Sequence, residues 1–228
     1  MTWPSSIALS QWLIDHCHEV INQKTILELG AGTGLVGMVV AKLIAHHTEI
    51  HKDTYHLQGG RVILSDYNPL VLDNIQRSIQ LNNLQDYAEI SCLDFYHQNG
   101  RNHTGGWLES LPTLSRGHDE TSAIPHLRPR EAVDIILAAD VICQPSDSIS
   151  LSKTIYDALR PGGKAFVTSA ASAHRFGVDY FPSECFKRGL IVTESTLIPH
   201  KNMNGIYLST TSGFVEGMEM KLYEIVKH

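Results

Sequence analysis

Residues 25–34 constrain the fold of this chain more than any other stretch. Thr25-Ile26-Leu27-Glu28-Leu29 is a short run suited to a buried strand, and it ends in Gly30-Ala31-Gly32-Thr33-Gly34. Leu35 to Ala45 follows, apolar nearly all round, as a helix packed on a sheet must be. A strand, a glycine turn and an apolar helix open a βαβ unit. The alternation then continues. Arg61–Ser65 reads as a strand, Pro69–Leu81 as a helix with proline in its first turn, and Tyr87–Leu93 as a third strand. Val133–Ala139 (VDIILAA) is the apolar run expected of a central parallel strand covered on both faces. Ser146–Leu159 reads as a helix stopped by Arg160-Pro161-Gly162-Gly163. Lys164–Ser169 reads as a strand, His174–Lys187 as a helix, and Leu190–Ser195 and Glu219–Val226 as later strands. A helix after Pro4, with the stripe Ile7, Ala8, Leu9, Trp12 and Leu13, precedes the first strand.

This pattern predicts an α/β fold: a doubly wound, mostly parallel, seven-stranded Rossmann-like sheet with an antiparallel C-terminal strand. The 228 residues suffice for one domain, 1–228. Two polar stretches, about 46–60 and 98–130, read as surface insertions. The first holds His46, His47, His51 and His56 in no regular ligand spacing, so no metal site is expected. The cysteines Cys17, Cys92, Cys143 and Cys185 form no C-x-x-C, which speaks against a zinc finger and for free thiols in a reducing compartment. The start of the chain lacks a basic segment followed by an apolar core, and no apolar run approaches the roughly 18 residues of a membrane span. A cytoplasmic location is expected, with the nucleus as the alternative. The net charge of −6 argues against a nucleic-acid groove.

Four chemical signals fall at the carboxyl ends of strands, where ligands of open α/β sheets sit. The first is the glycine turn, which lets backbone approach a ligand closely. Gly32 to Gly37 also matches the dinucleotide pattern G-x-G-x-x-G, but the glycines begin at Gly30, immediately after the strand, and the acid Glu28 precedes them. The second is Asp66, closing VILSD, an acid able to accept both hydroxyls of a ribose. The third is Leu93-Asp94-Phe95, placed to stack and hydrogen-bond an adenine. The fourth is Ala138-Ala139-Asp140. Glu28 has a second reading, as a strand-end acid capping nearby N–H groups.

In this order ELGAGTG, VILSD, LDF and ILAADV resemble a class I, seven-β-strand methyltransferase. With Trp3-Pro4 ahead of a helix, they are similar to the methyltransferase-like protein-lysine methyltransferases, the group that includes calmodulin-lysine methyltransferase. The resemblance spans Trp3 to about Ser169. It implies S-adenosylmethionine as cofactor and a protein substrate, with no nucleic acid and no membrane as partner. Glu28 counts among the cofactor-binding residues. Gly30, Ala31 and Gly32 would face the methionine part and ribose, and Asp66 would hold the ribose hydroxyls. Asp94 and Phe95 would frame the adenine, Ala139 would line the pocket, and Trp3 would close over it. Asp140 is the candidate catalytic residue, able to orient a neutral amine or accept its hydrogen bonds. The group carries Tyr or Phe three residues after this aspartate, where this chain has Cys143. It also carries residues ahead of the Trp-Pro segment, so the chain reads as a shortened form. Both departures motivate the alternative of a small-molecule N-methyltransferase; a silent cofactor-binding module is a further alternative.

Overall fold

The computed structural model describes residues 3–21, 23–50, 60–95, 132–170, 175–197 and 219–228. The chain runs α1 (Pro4–Asp15), α2 (Cys17–Val20), β1 (Thr25–Leu29), α3 (Leu35–Ile50), β2 (Arg61–Asp66), α4 (Pro69–Leu81), β3 (Ala88–Cys92) and β4 (Val133–Ala139). It continues with α5 (Pro145–Ala158), β5 (Leu159–Ala170), α6 (Phe181–Phe186), β6 (Leu190–Leu197) and β7 (Met220–Lys227). The seven strands form one sheet in the order β3-β2-β1-β4-β5-β7-β6. β1 pairs in parallel with β2 and β4, and β7 pairs antiparallel with both β5 and β6. The expected fold class is the one observed.

Alternation along the central strands explains the layers. Ile26 of β1, Leu64 of β2 and Leu137 of β4 face α1, α3 and α4, where they bury Leu9, Val40 and Ile75. Leu27, Leu29, Ile63 and Ile136 face the other way and bury Leu151 and Ile155 of α5 and Phe181 of α6. Strands apolar on both sides can only sit between two helical layers. On the second face, the rings of Phe181 and Tyr223 meet edge to face at 5.4 Å.

The structure differs from the sequence reading at three places. α3 runs through His46 to Ile50, so the first polar stretch starts as helix, with Thr48 Oγ1 donating to the Ile44 carbonyl. A helix continues past its buried stripe while its outer residues face water. The Arg160–Gly163 stop lies inside β5, where it shifts the register against β4 between Val133 and Ile135. The expected helix 174–187 is a 3₁₀ turn at Val178–Tyr180 followed by α6. Pro182 accounts for this: it is tolerated in a first turn, whereas in a helix begun at 174 it would sit in the interior. The insertion 98–130, together with His51, His56, His174 and Met218, lies outside the described residues. Among those described, no helix is long and apolar enough to cross a membrane.

Candidate functional site

Gly30 leaves β1 with φ +64°, a conformation that L side chains rarely adopt. A Cβ there would stand 2.7 Å from Val141 Cγ1, so glycine lets the loop pass the end of β4. The loop is then tied to β2. Ala31 N–H donates to the Ser65 carbonyl at 2.8 Å, and Ser65 Oγ donates to the Glu28 carbonyl at 2.6 Å. Gly34 N–H donates to the Ala31 carbonyl, and Met38 N–H to the Gly34 carbonyl, which carries the turn into α3.

Asp66 closes β2 and binds the two neighbouring turns. Its Oδ2 accepts from Gly32 N–H and its Oδ1 from Asn68 N–H, each at 3.0 Å. Asn68 in turn caps α4, accepting from Leu70 N–H. Each Asp66 oxygen retains a further lone pair for a ligand. The carboxylate is therefore fixed in position before anything binds.

Beside these groups lies a cavity of about 410 Å³, outside the carboxyl ends of β1, β2 and β4. Its lining brings together Trp3, Gly30, Ala31, Gly32, Asp66, Asp94, Phe95, Ala139 and Asp140, which are nine of the ten residues singled out from the sequence. The tenth, Glu28, does not line it. Glu28 points from β1 into the helical layer, where its Oε2 accepts from Gly37 N–H at 2.9 Å in the first turn of α3. Burial pushes its carboxyl up to about 8, with the Gly37 bond opposing the rise and the Asp66 charge adding to it. It thus performs the capping alternative of the sequence reading, beneath the loop.

The lining contains three carboxylates, Asp66, Asp94 and Asp140, and no lysine or arginine among the described residues. A pyrophosphate would meet repulsion there, whereas a nucleoside that carries positive charge would not. Volume and lining match a small-molecule site, with apolar walls and few polar groups. The lining also holds Ser6, Thr33, Tyr67, Leu93 and Val141, which were not among the ten residues singled out; all but Ser6 adjoin one of them in the chain. Sequence reasoning also missed Arg175, whose Nε and Nη2 donate to Asp140 Oδ1 and Oδ2 at 2.9 and 2.5 Å. Arg175 Cζ lies 5.4 Å from the centre of the Trp3 ring. No local pattern announces this residue, which β5 brings back to the end of β4.

Residues 1–104 match the lysine methyltransferase family, and the sheet order and the place of the glycine-loop cavity agree with that match. The chain has the class I methyltransferase fold and, over residues 1–104, is similar to the lysine methyltransferase family. Among curated proteins, this chain is 29% identical over 156 residues to yeast (Saccharomyces cerevisiae) protein-lysine N-methyltransferase EFM2, covering 63% of this chain and 30% of that one. It is 30% identical over 156 residues to mouse histone-arginine methyltransferase METTL23, covering 68% and 45%. Human protein-lysine N-methyltransferase EEF2KMT is 26% identical over 151 residues, covering 66% and 37%. The matched region thus spans only 30% to 45% of the length of these relatives. Solved structures carry the same fold over nearly the whole chain. A TehB-like methyltransferase from Corynebacterium glutamicum has a TM-score of 0.53 at 17% identity, covering 97% of this chain and 88% of that one. The [4+2]-cyclase SpnF reaches 0.57 at 13%, covering 97% and 80%. One scaffold thus carries different reactions, and the reaction must be argued from the site.

Proposed function

We propose that this chain binds S-adenosylmethionine in the 410 Å³ cavity and transfers its methyl group to a nitrogen of a protein side chain, lysine first. The observation that carries the reading is the fixed Asp66 carboxylate beside the glycine loop, in a cavity whose lining also holds Asp94; the third lining carboxylate, Asp140, is paired to Arg175. The residues present fit this cofactor. Asp66 offers lone pairs to the ribose hydroxyls, and Asp94 and Phe95 offer an acceptor and a ring face to the adenine. Gly30, Ala31 and Gly32 let backbone approach the methionine part, while Ala139 and Trp3 supply apolar wall.

When bound, the cofactor supplies an already activated methyl on a positively charged sulfur. The chain therefore needs to position its reactants rather than act as a nucleophile itself. The lining carboxylates Asp66 and Asp94 favour the sulfonium, while Asp140 stands at the cavity with both oxygens held by Arg175. The names of the relatives support a protein acceptor and include both lysine and arginine enzymes. A cytoplasmic or nuclear location goes with this reading.

Methyl transfer from tritiated S-adenosylmethionine into a cell lysate, resolved by gel, tests the proposal. We expect a labelled protein band that Asp66→Ala abolishes, and digestion of the band to yield methyllysine. Label confined to small molecules would overturn the protein acceptor. Failure of the cofactor to raise the melting temperature would overturn the whole reading.

A further inference from the structure

Three segments far apart in the chain meet at the mouth of the cavity. The first is Trp3 at the entry to α1, where Thr168 Oγ1 of β5 donates to the Ser5 carbonyl at 3.2 Å. The second is the turn after β4. Asp140 there has φ +59° without being glycine, and its N–H donates to the Thr168 carbonyl at 2.8 Å. The turn is held from below by Asp147, whose Oδ2 accepts from the N–H groups of Cys143 and Gln144 at 2.7 and 3.0 Å. The third is the segment 175–177. It is fastened to the second because Ser148 Oγ donates to the Gly177 carbonyl at 2.7 Å. Gly177 itself packs so closely that a Cβ would stand 2.2 Å from the Gln144 carbonyl oxygen.

One side chain joins all three. The Asp140 side chain is 3% exposed, and both its oxygens are taken by the Arg175 fork. The guanidinium that fills the fork also faces the Trp3 ring, a cation over an aromatic face. A buried carboxylate with no partner is costly, and a strained backbone at its own position persists only where the surroundings over-determine it. Trp3, by contrast, is 49% exposed, so its place depends on what it touches. Both residues that the guanidinium holds line the cavity.

We propose that Arg175 is the positioning residue of this site, fixing the Asp140 carboxylate and docking the Trp3 ring over the cavity. Arg175 acts through these two residues rather than on the methyl group. Asp140 is thereby an oriented, charge-paired wall of the acceptor side. The guanidinium plane is essential, because lysine cannot make the two-pronged contact and face a ring at the same time.

The inference rests on the cofactor reading above, and calorimetric titration of the intact chain with S-adenosylmethionine separates the two. Wild type, Trp3→Ala, Arg175→Ala, the double variant and Arg175→Lys are compared. We expect each alanine variant to weaken binding about tenfold. The double variant should lose no more than about twofold beyond the weaker single, since both changes remove one contact. Arg175→Lys, which keeps the charge, should still bind at least threefold more weakly than wild type. In the free protein, Arg175→Ala should shift the emission of Trp3, isolated by difference against Trp3→Phe, to the red and expose it to acrylamide. No binding by wild type would refute the cofactor reading. Wild-type binding with a hundredfold, additive loss in the double variant, a wild-type affinity in Arg175→Lys, or unchanged Trp3 emission would overturn the role of Arg175 alone.

Discussion

Glu28 makes a quantitative prediction about the protein in solution. Its carboxyl is 3% exposed, and burial raises it from the ordinary 4.5 to about 8. The positive end of α3 and the Gly37 N–H favour the charged form, but burial outweighs them. Between pH 4.5 and 8 the folded chain therefore holds a proton that the unfolded chain has released. The stabilisation from this group is complete below the unfolded value and is lost as pH rises through the folded one. The slope is about 1.4 kcal/mol per pH unit within the window, a few kcal/mol in all. Glu28→Gln keeps the shape and an oxygen for Gly37 N–H, and removes the titration. Urea unfolding followed by circular dichroism at pH 5, 6, 7 and 8 measures both proteins, and their difference cancels groups that titrate alike. The variant should gain on wild type by about 1 kcal/mol per unit, and it should be the more stable protein at pH 8. Parallel curves would refute the reasoning, because they would mean that Glu28 is ionised in the folded chain throughout.

Two further substitutions test the same floor of the site. In Gly37→Ala the new Cβ would lie 2.5 Å from Glu28 Oε2 and 2.6 Å from Leu64 Cγ. Crowding of about 1–3 kcal/mol should outweigh the roughly 1 kcal/mol gained in helix propensity, and a melting temperature at or above wild type would contradict this. Asp147 is 2% exposed and completes the capping box of α5. Asp147→Ala should cost about 2 kcal/mol in denaturant unfolding by leaving two N–H groups without their acceptor, and a loss under about 0.5 kcal/mol would count against it.

The central strands were legible because burial on both faces leaves a plain mark. Val133–Ala139 and Thr25–Leu29 have the expected bounds, and Pro69 after the capping Asn68 places α4 exactly where its first turn begins. The orientation of Glu28 was also within reach. Leu27 and Leu29 share one face of β1, so the residue between them points to the helices on the other. Arg175 was beyond reach, since the contact with Asp140 spans 35 positions and depends on where β5 returns. The short α6 shows how proline and a turn override a helical pattern.

β7 has a consequence for how the chain acquires its form. It lies between β5 and β6, making a ladder with each, and Met220 at its start receives the Ser5 hydroxyl hydrogen bond at Sδ from 215 positions away. Until residues 220–227 arrive, β5 and β6 each present an open row of N–H and C=O groups, the kind of edge that recruits other chains. The half of the sheet that carries β1, β2 and β4 can pair without them. In a nascent chain the ligand-facing half can therefore pair before the other half is sealed. Contacts of such long range form late and slowly. Aggregation should accordingly compete with folding during that interval, and weakening of β7 should show first as a loss of soluble yield.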